Sequence, residues 1–161
     1  MKHHGLLFTL LLTLLPLGVA ARDLHRLWDD RCFECHGHAG EFARRSLSIA
    51  NGRLQGRHHV DDLRAFMDRH YLQADDADAV YEMLFLQAGH QARFKTECSG
   101  CHGNAASFTR RSLELRDGDL YGVKSGQPVS RFLQQHRGLN LPDAEFFSVE
   151  LRRVAREVYR Q

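Results

Sequence analysis

Two five-residue segments, each with two cysteines, two intervening residues and a histidine, constrain this chain most strongly. They are Cys32-Phe33-Glu34-Cys35-His36 and Cys98-Ser99-Gly100-Cys101-His102, and they begin 66 residues apart. The chain has 161 residues and four cysteines, and all four lie in these two segments. Any fold must therefore build the same cysteine-histidine turn twice.

The chain also repeats itself outside these segments. A shift of 66 residues superimposes identical residues along most of one copy. Besides the segments themselves, the identical pairs include Phe42/Phe108, Arg44/Arg110, Arg45/Arg111, Ser46/Ser112, Leu47/Leu113, Gly52/Gly118, Leu54/Leu120, Gly56/Gly122, Phe66/Phe132 and His70/His136. One inserted residue near Gly138 restores the match up to Leu84/Leu151. The sequence therefore predicts two tandem domains, residues 22–89 and 90–161, with their boundary at Gly89.

The first 21 residues have the pattern of a secretory signal peptide. Lys2 supplies the positive start, Gly5 to Leu15 form the apolar core, and small residues lead up to Ala21. We expect cleavage after Ala21. The alternative is an uncleaved anchor, but the apolar run is shorter than the ~20 residues that a bilayer requires. We therefore expect no membrane association after cleavage.

The charge of the chain argues against nucleic acid as a partner. The formal net charge is +2, and Lys2 contributes one of these charges. No strongly basic stretch is present, whereas nucleic-acid-binding domains concentrate their basic residues. Each predicted domain is also so short that it barely buries enough apolar surface to fold alone.

The apolar periodicity predicts a mainly α-helical chain with one short β-hairpin in each copy. Asn51-Gly52 and Asp117-Gly118 each lie between alternating residues, which is the preferred sequence for a two-residue hairpin turn. A polar stretch is expected between each histidine segment and its hairpin. Helices are predicted over 23–35, 60–70 and 76–87 in the first copy and over 91–101, 128–136 and 142–159 in the second. The last helix is expected to turn one apolar stripe inward, formed by Phe147, Leu151, Val154 and Val158.

The Cys-x-x-Cys-His pattern is that of a c-type haem attachment site. With the repeat, the chain resembles a diheme c-type cytochrome built from two tandem class I-like modules. The resemblance implies small helical haem domains and two covalently bound haem c groups in the bacterial periplasm. It assigns Cys32, Cys35, Cys98 and Cys101 to thioether bonds, and His36 and His102 to proximal iron ligation. The alternative for paired Cys-x-x-Cys segments is a zinc ribbon, which the adjoining histidines, the signal peptide and the repeat oppose.

The distal ligands predicted here depart from the commonest class I pattern, which uses methionine. Residues 91–161 contain no methionine, and apart from His102 their only histidine is His136. His70 occupies the matching position, because both histidines follow their proximal partner by 34 residues. We therefore predict bis-histidine ligation by His70 and His136. The alternative for both is an exposed histidine that ends a helix. In the first copy Met67, Met83, His58 and His59 remain competing ligands.

Two arginine pairs recur in register, and one arginine from each is a candidate haem contact. Arg45 and Arg111 could hold haem propionates through charge-assisted hydrogen bonds. The alternative is a solvated pair of arginines before a strand.

The resemblance implies electron transfer and no catalysis of its own, because an iron with two protein ligands has no vacant position for a substrate. Histidine in place of methionine implies a comparatively low reduction potential. The expected partners are a donor and an acceptor protein. Two alternatives stay open: a haem enzyme or gas sensor with an open or displaceable axial position, and a haem subunit of a larger oxidoreductase.

Overall fold

The computed structural model describes residues 22–160, which form a mainly helical structure with two small antiparallel hairpins. This confirms the mainly α class and the two hairpins predicted from the sequence. The predicted signal peptide, residues 1–21, lies outside the described residues. Of the helices described, none is long and apolar enough to cross a membrane.

The elements follow the same order in the two halves of the chain. In the first half they are α1 (Leu24–Arg31), α2 (Phe33–His36), α3 (Ala39–Ser46), β1 (Leu47–Ala50), β2 (Arg53–Gly56), α4 (Leu63–Met67) and α5 (Ala74–Gly89). In the second half they are a π-helix (Phe94–Cys98), α6 (Ser99–His102), α7 (Ala105–Ser112), β3 (Leu113–Arg116), β4 (Asp119–Gly122), α8 (Val129–Leu133) and α9 (Leu141–Val158). The main difference lies in the first helix, which is α-helical in one half and π-helical in the other.

Both hairpins form at the turns that the sequence predicts. Asn51 and Asp117 each have φ of 51°, and the glycines that follow have φ of 70° and 83°. Two successive residues with positive φ form the turn that matches the twist of a two-residue hairpin. The registers are equivalent, with Leu47 opposite Gly56 and Leu113 opposite Gly122.

The polar stretch before each hairpin, for which the sequence predicted no helix or strand, is a helix. These helices, α3 and α7, bury small residues against the rest of their half: Ala39 and Ala43 in one, Ala106 and Thr109 in the other. The polar residues of these helices lie on the outer face. Because the buried residues are small, a search for large apolar residues does not detect the helices. The Asn104 side chain also accepts a hydrogen bond from the amide of Ser107, which caps the start of α7.

Several predicted helices are interrupted or shortened. The helix predicted over 23–35 breaks at Cys32, where φ is −118° and ψ is −28°. Its counterpart, predicted from residue 91, begins at Phe94 and is a π-helix, a form that frequently marks functional sites. The helices predicted over 60–70 and 128–136 end at Met67 and Leu133, before the histidines.

Each half has its own hydrophobic core. In the first half, Trp28, Ala43, Leu54 and Met83 are at most 3% exposed and belong to one cluster. In the second half, the core follows the stripe predicted on the last helix: Phe147, Leu151, Val154 and Val158 are all 5% exposed or less. This confirms that the last helix turns its predicted apolar stripe inward.

The halves contact each other through helix α1, which packs on α9. Arg110 donates two hydrogen bonds to the Asp23 carboxylate, at 2.5 and 3.0 Å. The Nε2 atom of His25 lies 2.8 Å from a carboxylate oxygen of Glu157. Polar pairs therefore connect the two halves and set how they meet.

The α9 stripe gives a stability prediction. Phe147→Ala is expected to lower the free energy of unfolding by about 3–5 kcal/mol, because it removes a large side chain that is only 1% exposed. Chemical denaturation of the full chain measures this. Val149→Ala, on the same helix but 59% exposed, serves as the control and should change the value by less than about 0.5 kcal/mol. Equal effects of the two substitutions would contradict the described packing of α9.

Candidate functional site

The two cysteine-histidine segments adopt the same local structure. In each, a helical turn, α2 or α6, ends at the histidine, and a glycine with positive φ follows: Gly37 at 68° and Gly103 at 71°. In the first half the indole N–H of Trp28 donates to the Gly37 carbonyl at 2.8 Å. This bond links the end of the histidine turn to the buried face of α1.

The structure brings together the histidines that the sequence matched as pairs. The ring centroids of His36 and His70 are 6.0 Å apart. Those of His102 and His136 are 5.9 Å apart. In both halves the second histidine lies just past a short helix, where its amide bonds to the carbonyl three residues earlier, Met67 or Leu133, at 3.1 Å. The same pair therefore forms twice with nearly the same separation.

This separation suits two imidazoles that share one metal ion. Nitrogens that each lie about 2 Å from one metal leave the ring centroids about 6 Å apart. The turn past each short helix ends in a residue with positive φ, Tyr71 at 61° and Arg137 at 55°. This equivalent backbone places His70 and His136 opposite their partners.

Phenylalanine rings surround each histidine pair, and sequence reasoning assigned them no role. Phe42 lies 4.6 Å from His36 and Phe108 lies 4.5 Å from His102, as centroid distances. On the other side, Phe66 and Phe132 lie 4.5 and 5.1 Å from the distal histidines. All four belong to identical pairs of the repeat, which was the available signal. Such rings hold the imidazoles in an apolar environment and restrict their rotation.

A cavity of about 280 Å³ lies between the two histidines of the second half. Its walls are mostly apolar and include Phe108, Leu133 and Phe147, and Cys98 lies on its border. A flat apolar cofactor attached to Cys98 and ligated by two imidazoles requires this combination of wall and donors. The residues present therefore fit a covalently attached haem.

Burial favours the neutral form of both proximal histidines. It lowers the pKa of His36, and the neighbouring His70 lowers it further. The pKa of His102 is lowered by burial, then by His136 and Arg137. Neutral imidazole is the form that binds a metal.

Burial also raises the pKa of the Cys32 and Cys98 thiols. A raised pKa favours the protonated thiol over the thiolate. Among residues 22–160, no three or more His, Cys, Asp or Glu side chains converge as a metal-binding group.

The two arginines of each repeated pair have different surroundings. Arg110 is bound to Asp23, whereas Arg45 and Arg111 are exposed and, among the described residues, form no ion pair. Arg111 donates to the His102 carbonyl at 3.3 Å, so it lies beside the proximal histidine. The structure leaves Arg45 and Arg111 available for an anionic group.

The competing ligands of the first half have other contacts. Met67 and Met83 are buried in the hydrophobic cluster. His58 is exposed, and His59 stacks on Phe66 at 3.9 Å while its Nδ1 lies 3.1 Å from the Asp62 carboxylate. Unlike these four residues, His70 has its ring paired with that of His36, at 6.0 Å between centroids.

No family model matches this chain, and neither the curated proteins nor the solved structures contain a match to it.

Proposed function

We propose that this protein is a diheme c-type cytochrome that carries electrons between redox partners, made of two tandem cytochrome c-like domains, residues 22–89 and 90–161. The observation that carries the proposal is that the histidine of each Cys-x-x-Cys-His segment is paired with a second histidine. The ring centroids of the two pairs are 6.0 and 5.9 Å apart. A single histidine pair has many explanations. Two pairs at equivalent positions of a repeat support the same kind of bound group in each half.

The cysteines have the first role in this proposal. Cys32 with Cys35, and Cys98 with Cys101, attach one haem c to each half. All four thiols are free of disulfides, and the second thiol of each segment is exposed. The covalent bonds fix the cofactor over the histidine turn, so His36 and His102 are the proximal ligands.

His70 and His136 complete the ligand sets. When bound, the haem supplies one-electron oxidation and reduction. Arg45 and Arg111 are exposed arginines at matching positions of the repeat, and Arg111 donates to the His102 carbonyl. In this proposal both arginines bind propionates. The phenylalanines on both sides of each imidazole pair restrict the rotation of the rings. Restricted rotation keeps the ligands in place when the charge changes.

Two histidine ligands favour electron transfer over catalysis, because they leave no axial position for a substrate. The proposal also places the mature protein in the periplasm, where its partners are a donor and an acceptor. The cavity beside His136 supports one further candidate, a gas sensor in which a small ligand displaces this histidine.

An absorption spectrum of the ferrous protein, recorded with and without carbon monoxide, tests the carrier against the sensor. The carrier predicts low-spin spectra for both haems and no change on addition of the gas, because neither histidine leaves. A carbon monoxide complex at one haem would replace the carrier with a sensor or enzyme. A high-spin ferrous haem before the gas is added would show an open axial position.

A further inference from the structure

The two halves differ at two neighbouring positions that the repeat makes equivalent. In the second half these positions are Ala106 and Val154, which belong to one hydrophobic cluster. In the first half, with the inserted residue near Gly138 taken into account, the same positions are Gly40 and Gln87. A methyl group and an isopropyl group are thus replaced by a space and a carboxamide.

Gln87 places a polar group on the wall of a cavity that lies between the halves. The cavity has a volume of about 390 Å³, and residues of both halves line it. Gln87 is only 5% exposed, and its amide has no hydrogen-bond partner among the described residues. A buried amide costs free energy unless its donors and its acceptor are bonded. A molecule inside the cavity is therefore needed to complete the hydrogen bonds of Gln87.

The guanidinium of Arg44 lies beside this amide. A Cβ atom added at Gly40 would lie 3.1 and 3.2 Å from the Nη2 and Nη1 atoms of Arg44, and 3.2 Å from Oε1 of Gln87. The glycine therefore lets the charged group and the amide approach the same point. Arg44 lines the cavity, is exposed and forms no ion pair with the described residues. Its counterpart Arg110 is bound to Asp23, so the second copy of this arginine has an anionic partner and the first copy has none there.

Most other charged side chains of the cavity wall have a partner. The pairs are Glu41 with Lys95 and Glu150 with Arg153, while His25 lies beside Glu157 and His90 beside Glu150. Asp29 also lines the cavity, is exposed and forms no ion pair within the part of the chain that the structure describes. Of the formal charges on the described wall, Arg44 and Asp29 are therefore the two that no ion pair neutralises.

The second half supplies an apolar surface to the same cavity. Phe94, Ala106 and Val154 line it, and each is at most 7% exposed. The volume lies within the range of pockets that bind small molecules, which combine apolar walls with a few placed polar groups. The cavity therefore offers a guanidinium and an amide from the first half and apolar atoms from the second.

We propose that this cavity binds a small organic carboxylate, with the carboxylate group on Arg44 and Gln87 and the apolar body against the second half. A guanidinium binds a carboxylate through two parallel hydrogen bonds, and the Gln87 amide donates a third. Because the ligand contacts both halves, its binding stabilises the contact between them. The residues concerned are separate from the cysteines and histidines proposed to hold the haems, so the site is a second function of the chain.

The test titrates the full holoprotein, labelled with nitrogen-15 and fully reduced, with sodium benzoate. The side-chain amide signals of Gln87 and the Nε–H signal of Arg44 are expected to shift in a saturable manner. Benzamide has the same ring without the charge, and it should bind about tenfold or more weakly, because a hydrogen bond to a charged group is the stronger one. Acetate, which has the charge without the ring, should also bind more weakly than benzoate.

The sharpest variant combines Gly40→Ala with Gln87→Val, because it installs the residues that the second half has at the equivalent positions. It should keep the fold and abolish benzoate binding. Arg44→Gln should weaken binding by about tenfold or more. Asp29→Asn should strengthen it, because this substitution removes a negative charge from the wall. Arg53→Gln is the matched control, since Arg53 is exposed, belongs to the same half and lies outside the cavity lining, and it should leave the affinity unchanged.

Benzoate binding that survives both in the double variant and in Arg44→Gln would overturn the proposal. Equal affinities for benzoate and benzamide, or the absence of any benzoate shift in the unchanged protein, would overturn it as well. If the double variant does not fold, Arg44→Gln decides the result. The haem content of the sample is measured separately, and a protein with two haems that does not bind benzoate would refute this site and leave the proposed function standing.

Discussion

Replacing Cys98 and Cys101 together with alanine is expected to halve the haem content and to unfold the second half. Without the attached cofactor, the cavity between His102 and His136 has no occupant, and the core around Phe147 loses one wall. A domain of this size has little spare apolar burial. The covalent haem content, together with limited proteolysis of the purified protein, measures both effects.

Two controls accompany this experiment. Gly100→Ala changes an exposed residue inside the same segment, where an added Cβ meets nothing within 4 Å, and should keep both haems. The mirror variant, Cys32→Ala with Cys35→Ala, should lose the first haem and expose the first half to protease. A double variant that retains two haems, or whose second half stays resistant to protease, would show that these cysteines do not attach a structural cofactor.

His136→Ala is expected to convert the second haem from low-spin to high-spin and to let it bind carbon monoxide. The substitution removes the imidazole 5.9 Å from His102 and opens a path to the iron through the existing cavity. The second half contains no methionine that could take its place. The ferrous absorption spectrum, with and without the gas, gives the result directly.

Gln135→Ala is the matched control, because Gln135 precedes the histidine and is exposed. Its spectra should equal those of the unchanged protein. His70→Ala should reproduce the change at the first haem. Unchanged spectra in both histidine variants would exclude His70 and His136 as ligands. If His136→Ala changes the spectrum and His70→Ala does not, one of the competing residues of the first half, such as Met67, is the ligand of the first haem.

The repeat made much of the arrangement predictable. The hairpins follow from Asn51-Gly52 and Asp117-Gly118, because so few sequences tolerate two successive positive φ values. The pairing of His70 with His36 was suggested by the common spacing alone. Equivalent sequences adopt equivalent folds, and an equal spacing therefore yields an equal distance.

Other features depend on contacts that no local pattern reveals. Helices α3 and α7 bury alanines and a threonine, which a search for large apolar residues does not detect. The break at Cys32 is a backbone feature of the cysteine turn itself. The pairing of Arg110 with Asp23 joins residues that are 87 positions apart, so it depends on how the halves pack. Because both arginines of the pair are repeated, the sequence could not show that Arg110 binds Asp23 and that Arg111 does not.

The intact mass of the purified, acid-denatured protein tests the central claim most directly, because thioether-bound haem survives denaturation and a noncovalent cofactor does not. The proposal predicts a polypeptide mass increased by two haem groups, with both cysteine segments modified. A mass equal to the bare polypeptide with four free thiols would contradict it.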